Sequence, residues 1–168
     1  MNRSTTRAGR LGFIAVVAVT AALTLTSCGN SAPEGTTVKP SAVKKSIVDL
    51  VERSTAALGG KWEVYSGPSV EACGDGASDS ARYVYIMDRV DRPGGDPTAD
   101  LDKIKALWKG DGIEASDYKS GGADPLLGVR GSGGPTTSIG FDAFPKGYSI
   151  TGVSQCADGN VSELRKSE

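Results

Sequence analysis

Apolar residues between positions 41 and 58 recur every three or four residues, which is the spacing of a helix with one buried face. Ser41 precedes this stretch and favours a helix N-cap, while Gly59 and Gly60 follow it and suit a left-handed C-terminal cap. The apolar stripe consists of Val43, Ile47, Leu50, Val51 and Leu58. The pattern predicts a first helix that packs on a core through this stripe.

A second helix is predicted after Asp96, because its carboxylate can cap a helix and Pro97 is well tolerated at the first helical position. The side chains expected to face the core are Leu101, Ile104, Leu107 and Trp108. Gly110 and Gly112 end this helix. We expect Trp62, like Trp108, to be a core residue.

Several further segments have the alternating or continuous apolar pattern that is typical of β-strands. They are residues 62–66, 82–90, 113–118, 126–130, 136–143 and 148–155. The segment 82–90 is apolar on both sides, which is typical of a strand in the interior of a sheet. Tyr83, Tyr85 and Met87 fall on one side of it, and Val84 and Ile86 on the other.

The connections complete this organisation. Residues 131–135 suit a hairpin turn, residues 67–80 a Gly/Ser/Asp loop, and residues 157–168 a frayed polar tail. The element order predicts one α+β domain over residues 41–156. We expect a mostly antiparallel sheet of about five to six strands with two helices packed on one face.

The N-terminal segment has the pattern of a secretory signal peptide, a basic start followed by an apolar run from Leu11 to Leu25. The residues Leu25-Thr26-Ser27-Cys28 resemble a lipobox, the cleavage signal of bacterial lipoproteins. The resemblance implies cleavage of residues 1–27 and diacylglycerol on the Cys28 sulfur. An uncleaved transmembrane anchor is the alternative, but this run spans only about 22 Å, against a hydrocarbon core of about 30 Å.

Residues 28–40 are then a lipidated cysteine and a flexible tether rich in Gly, Pro and Thr. Cleavage removes three of the 19 basic residues and none of the 20 acidic ones, so the mature chain has a net charge of −4. This charge disfavours binding to nucleic acid and to anionic head groups. We therefore expect attachment to the extracytoplasmic face of the cell membrane through the lipid on Cys28.

Two cysteines remain once Cys28 is assigned to lipid, and outside the cytoplasm such a pair is expected to form a disulfide. The sequence thus predicts a bond between Cys73 and Cys156, with a reactive thiol as the alternative. The chain contains no histidine. This excludes serine–histidine and cysteine–histidine nucleophile pairs and histidine-bearing zinc sites.

Scattered residues resemble the LppA-like lipoproteins of mycobacteria and their relatives. They are the lipobox, the Gly59-Gly60 helix end before Lys61-Trp62, Glu71-Ala-Cys73, and Tyr148-Ser-Ile-Thr-Gly152 before Cys156. The resemblance implies a lipid-anchored envelope protein of actinobacterial type with a small α+β domain. It brings no catalytic residues, and it supports the disulfide.

Motifs that suggest catalysis have simpler explanations. Ser41-Ala-Val-Lys44 has the spacing of the penicillin-binding enzymes, and Lys119-Ser-Gly121 resembles their third motif. The Ser-Asp-Tyr triplet at 116–118 directly abuts Lys119, which leaves no room for the separate walls of one active site. Ser41 is better explained as a helix cap.

Two further motifs suggest ligand sites. The glycines at 128–134 precede a strand rather than the helix that a phosphate-binding loop requires, so a hairpin is favoured. Acidic residues gather at Asp75, Asp79, Asp88, Asp91 and Asp96. Their spacing lacks the regular alternation of a calcium loop. We predict no enzyme activity, no metal and no cofactor.

The face formed by Tyr83, Tyr85 and Met87 is the main candidate for binding, because an apolar sheet face left open often marks an interaction surface. Coverage of this face by a long loop, such as residues 119–125 or 67–80, is the simpler interpretation and the one that we favour. Our leading hypothesis is a lipid-anchored, non-enzymatic module that binds an envelope protein or an apolar ligand there. The second hypothesis is a carrier or sensor for an envelope lipid or glycolipid, with this face as a cavity wall.

Overall fold

The computed structural model describes residues 38–74, 77–92, 95–122, 125–144 and 147–168, which form an α+β domain with one antiparallel sheet. The predicted signal peptide (residues 1–27), Cys28 and the tether up to residue 37 lie outside these described residues. The helices are α1 (Pro40–Leu58), α2 (Pro97–Gly110) and α3 (Val161–Lys166). The strands are β1 (Trp62–Cys73), β2 (Ala77–Arg89), β3 (Ile113–Ser120), β4 (Leu126–Gly133), β5 (Thr136–Phe144), β6 (Gly147–Ser154) and β7 (Ala157–Asp158).

The strand order across the sheet is β1-β2-β6-β5-β4-β3, and each neighbouring pair is antiparallel. The short strand β7 also pairs with β2, at Ser80 and Ala81. Strand β2 thus lies inside the sheet, as its two apolar sides predicted, and β1 and β3 are the two edges. The fold class predicted from the sequence is confirmed.

The helix ends are partly as predicted. The side chain of Asp96 accepts a hydrogen bond from the Thr98 amide at 2.9 Å, which confirms the cap of α2. The predicted cap at Ser41 is wrong, because α1 already begins at Pro40, with Lys39 at the N-cap and no side-chain cap. The fixed φ of proline suits the first helical position, so Pro40 starts the helix two residues earlier than a cap at Ser41 would.

Residues 67–80 were expected to form a loop, and this expectation is wrong. Strand β1 continues to Cys73 and β2 begins at Ala77, so most of the segment is a hairpin. The pairs Ser69 with Val84 and Val70 with Tyr83 belong to it. The polar composition is typical of a loop, but β1 is an edge strand. Backbone pairing to β2 stabilises its residues although they bury little apolar surface.

The predicted frayed tail at 157–168 is also wrong, since it contains β7 and α3. The Asn160 side chain caps α3 by accepting hydrogen bonds from two backbone amides. Val161 is buried, and Leu164 packs against the core. Arg165 donates from Nε and Nη2 to the Val70 carbonyl oxygen, both at 3.2 Å. These contacts join α3 to distant parts of the chain. The short sequence of residues 157–168 therefore has no local pattern that predicts them.

The core lies between the sheet and helices α1 and α2. Trp108 is fully buried, and its Nε1 donates to the Ser54 hydroxyl at 2.9 Å, which joins the two helices. Trp62 is only half-buried and donates to the Gly59 carbonyl oxygen at 2.8 Å. The expectation of a core tryptophan is therefore confirmed for Trp108 and holds only in part for Trp62.

The Cys73–Cys156 disulfide is present, with 6.1 Å between the two Cα atoms and a sequence separation of 83. It joins the end of β1 to the chain that follows β6. It therefore also holds the segment that leads into β7 and α3 close to the β1–β2 hairpin.

Replacing both cysteines, Cys73→Ser with Cys156→Ser, should lower the free energy of unfolding by about 4 kcal/mol, because the unfolded chain loses a long closed loop. Chemical denaturation of oxidised wild type and the double variant measures this difference. Thiol titration of the envelope-derived protein is the control. Two free thiols at these positions in that material would contradict the structure.

Candidate functional site

The predicted binding face of Tyr83, Tyr85 and Met87 is not open. Tyr83 is 3% exposed and Tyr85 4% exposed, and Met87 packs against the same core. Helix α1 covers this side of β2, and the Lys44 ammonium lies 5.3 Å from the centre of the Tyr83 ring. The expectation of an accessible tyrosine surface at this place is therefore wrong.

Close packing of α1 on the sheet explains this burial. Gly152 of β6 lies opposite Tyr85, and a Cβ at this glycine would lie 2.7 Å from side-chain atoms of Ile47 and Val51. The absent side chain lets α1 approach the tyrosine side of the sheet. The side chains of α1 therefore fill the space beside Tyr83 and Tyr85 in which the hypothesis of a lipid carrier requires a cavity.

The opposite face of the sheet has no helix over it in the described structure, and we call it the open face. It carries mainly small or half-buried side chains: Ser66, Ser69, Val84, Ile86, Thr151, Val153, Ser138, Gly140, Ser116 and Tyr118. Antiparallel sheets commonly face water in this way. A shallow cleft of about 570 Å³ lies at its β3–β4 side, lined by Glu114, Ser116, Arg130 and Ser132, with Ala115 and Gly131.

Arg130 lies on the open face and contacts a carboxylate and an aromatic ring there. Its guanidinium carbon lies 4.4 Å from the centre of the Tyr118 ring, and its Nη2 forms an ion pair with Asp142 at 2.7 Å. A Cβ at Gly140 would lie 3.0 Å from the Arg130 Nη1, so the glycine makes room for the flat guanidinium. Because a carboxylate and an aromatic ring already satisfy this cation, it is poorly placed to bind a further anion.

Of the five large exposed apolar side chains of the described residues, one is Val38 at 40% exposure and the other four lie at one end of the sheet. We call this the distal end, where β1, β6 and β4 begin and β2, β5 and β3 end. The side chains are Val64 at 52% exposure, Tyr65 at 72%, Val90 at 54% and Phe144 at 46%. In the sequence, an apolar residue near the end of a strand was the signal that these positions offered.

The chain enters the described fold at the opposite, proximal end. The Val38 carbonyl oxygen accepts a hydrogen bond from the Asp158 amide at 3.1 Å, and Asp158 lies opposite Ser80 at the start of β2. Val64 lies opposite Met87, near the end of the same strand. At the rise of a β-strand, about 23 Å of β2 separate these two points.

A polar cluster holds the distal end of β1 in place. Arg89 donates to Asp91 at 2.8 Å, and the Lys61 amide donates to the same carboxylate at 2.9 Å. These hydrogen bonds lower the pKa of the Asp91 carboxyl to about 2. Gly60 has a φ of +85° and leaves space for the Arg89 guanidinium. The cluster therefore orients the residues that enter β1.

A buried carboxylate at the start of α2 contacts a buried tyrosine. The Tyr148 hydroxyl donates to Asp100 at 3.1 Å, and Lys103 donates to the same carboxylate at 2.8 Å. Burial, followed by the hydrogen bond to Asp100, raises the pKa of Tyr148 to about 12. Neither group reaches solvent well enough to meet a substrate, so the pair is structural.

The remaining candidate motifs are dispersed. Lys44 pairs with Glu168 at 3.2 Å rather than activating Ser41, and Lys119 lies on the β3 edge. The predicted turn between β4 and β5 is confirmed at Gly134 and Pro135, whereas residues 131–133 still belong to β4. Asp75 lies outside the described residues. Within the described part of the chain there is no cluster of metal-ligating side chains and no helix that could span a membrane.

Comparison with known proteins gives a fold and no activity. No protein-family model and no curated protein matches the chain. Among solved structures it is similar to a DUF4853 family protein from Actinomyces odontolyticus ATCC 17982, with 21% identity and a TM-score of 0.52. The similarity covers 72% of this chain and 67% of that chain. It shows a shared fold, and the resemblance to LppA-like lipoproteins stays a prediction.

Because the tyrosines are core residues, the double change Tyr83→Ser with Tyr85→Ser should destabilise the domain by more than about 3 kcal/mol. The matched control is Val84→Ser with Ile86→Ser, which alters half-buried residues of the same strand on the open face. Urea unfolding of both variants measures the difference. Equal losses would contradict the assignment of the two faces.

Stability should fall at alkaline pH, because folding raises the pKa of Tyr148 above its ordinary value of about 10. A group with a raised pKa stabilises the folded state fully below pH about 10 and loses this contribution as the pH rises towards 12. Tyr83 and Tyr85 act in the same direction, since burial also raises the pKa of each phenol.

Urea unfolding between pH 8 and 12 (about the range in which phenols titrate) tests this contribution. Tyr148→Phe should be less stable than wild type at neutral pH, and the difference should narrow as the pH rises. Tyr65→Phe, which removes an exposed hydroxyl, is the control. A constant gap between wild type and Tyr148→Phe would show that Tyr148 ionisation is not coupled to folding.

Proposed function

We propose that this protein is a non-enzymatic lipoprotein of the cell envelope that binds a protein partner through the distal end of its sheet. One observation carries the choice of surface: exposed Val64, Tyr65 and Val90 lie at the end of β2 opposite the point where the chain enters the fold. Exposed apolar side chains near a strand edge are typical of protein interaction sites.

Membrane attachment is proposed from the sequence. The basic start, the apolar run and Leu25-Thr26-Ser27-Cys28 support lipidation at Cys28 on the extracytoplasmic face. The tether then leads to Val38 at the proximal end of the sheet. The point where the tether joins the domain and the exposed distal side chains therefore lie at opposite ends of β2.

The chemistry of the described surface supports binding rather than catalysis. Charged side chains of this surface pair with each other, as Arg130 does with Asp142 and Arg89 with Asp91. The buried Asp100 accepts hydrogen bonds from both Tyr148 and Lys103. The net charge of −4 expected for the mature chain favours a partner that is not nucleic acid.

Site-specific photocrosslinking in an actinobacterial host tests the proposed surface. A benzophenone amino acid at Tyr65 should give a protein adduct of one discrete mass in the membrane fraction. The same probe at Thr137, an exposed residue of β5 at the proximal end, is the matched control. Equal crosslinking from Thr137 would contradict a distal contact surface.

Anchoring is tested separately with Cys28→Ser. The variant should lose metabolic labelling with a fatty acid and move from the membrane fraction to the soluble fraction. A wild-type chain that carries no lipid on Cys28 would contradict the proposed anchor without bearing on the contact surface.

A further inference from the structure

The two edges of the sheet differ in how well they are protected against pairing with another strand. The β3 edge exposes Glu114, Asp117 and Lys119, and charged side chains of this kind discourage strand addition. The second half of the β1 edge is closed as well. Arg165 occupies the Val70 carbonyl oxygen, and Pro68 has no amide to donate.

In the first half of the β1 edge no described segment covers the outer backbone groups; Glu63 is its one charged side chain, and a register shift follows Val64. This half consists of residues 62–66. Within it, the side chains of four successive residues are exposed: Glu63, Val64, Tyr65 and Ser66. Strand β2 pairs with the inner side of this segment. An exposed strand edge presents unpaired backbone amides and carbonyls, so it is a template for one further strand.

Charge indicates what such a strand would carry. Glu63 lies directly opposite Asp88 on the open face, and like charges in this arrangement destabilise a sheet. Neither carboxylate forms an ion pair with any residue that the structure describes. A lysine or arginine next to Glu63 on an added strand would offset one of these two negative charges.

The alternation of side chains fixes the rest of the pattern. Val64 lies opposite Met87 and therefore on the helix side of the sheet, whereas Glu63 lies on the open face. Beside Trp62–Val64, before the register shift that follows Val64, an added strand would place successive side chains on these two sides. A basic residue beside Glu63 would therefore be followed by an apolar residue beside Val64.

We propose that the segment Trp62–Ser66 binds an extended partner segment with alternating basic and apolar residues, which joins the sheet as an additional strand beside β1. The proposal rests on the proposed function, because it specifies how the distal surface binds its partner. A second copy of this chain fits less well, since pairing two β1 edges would bring two Glu63–Asp88 pairs together.

A peptide of alternating lysine and valine, Lys-Val-Lys-Val-Lys with blocked ends and a fluorophore, probes this edge. It should bind the full chain in a neutral detergent, as measured by fluorescence anisotropy. Hydrogen exchange should slow at the amides of residues 62–66. The matched peptide Glu-Val-Glu-Val-Glu should not bind. Slower exchange confined to β3, or equal binding of both peptides, would overturn the proposal.

Charge reversal supplies the decisive variant. Glu63→Lys should weaken binding of the basic peptide about five- to tenfold, because an opposite-charge cross-strand pair becomes a like-charge pair. Its melting temperature should rise slightly, since the opposition of Glu63 and Asp88 is removed. Glu114→Lys makes the same change on the β3 edge and should leave binding unchanged. Equal weakening by both variants would overturn the proposal.

The outcomes separate this proposal from the proposed function. A basic peptide that fails to bind, with crosslinking from Tyr65 retained, overturns strand addition and leaves the distal contact surface standing. Self-association of the purified chain through residues 62–66, seen as a dimer in sedimentation, would identify a second copy as the occupant and also overturn it. If the basic peptide binds at residues 62–66 and Cys28 carries no lipid, strand addition is supported and only the proposed membrane anchor is contradicted.

Discussion

The contact between α1 and the glycine at position 152 determines which face of the sheet becomes the interior. Because Gly152 has no side chain, Ile47 and Val51 approach the backbone of β6 closely, and α1 lies over the tyrosine side of β2. Apolar burial in this layer is the main stabilising contribution to the domain. The opposite face is then left to small, half-buried side chains and to the Arg130 ion pair.

With the tyrosine side of the sheet covered by α1, the two edges of the sheet are the surfaces that differ most in charge and in backbone pairing. The C-terminal helix α3 protects half of the β1 edge through Arg165, and the disulfide holds the preceding segment near the same hairpin. This protection covers Pro68 and Val70 and does not extend to Ser66 or to the residues that precede it. The apolar and acidic residues beyond it are oriented by the hydrogen bonds of Arg89, Asp91 and Lys61. The proposed binding segment is thus the part of the edge that the rest of the fold leaves unpaired.

Polar groups inside the domain contribute positioning rather than chemistry. Ser54 accepts from Trp108 and donates to the Leu50 carbonyl oxygen, so both groups are satisfied where α1 meets α2. Asp100 is satisfied in the same way by Tyr148 and Lys103. Buried polar groups with complete hydrogen bonding make a unique packing arrangement, because any alternative arrangement leaves a partner unpaired.

The sequence by itself determined the features that depend on neighbours along the chain. Helical periodicity located α1 and α2, Asp96 identified a cap, and cysteine counting identified the Cys73–Cys156 bond. It did not determine which side of β2 the helices cover, because both sides are apolar and the choice depends on Gly152, far along the chain. The length of the β1–β2 hairpin and the packing of α3 were decided in the same way, by pairing and contacts between distant segments that leave no local pattern. The exposed edge at Trp62–Ser66 follows from the strand order, which only the tertiary structure establishes.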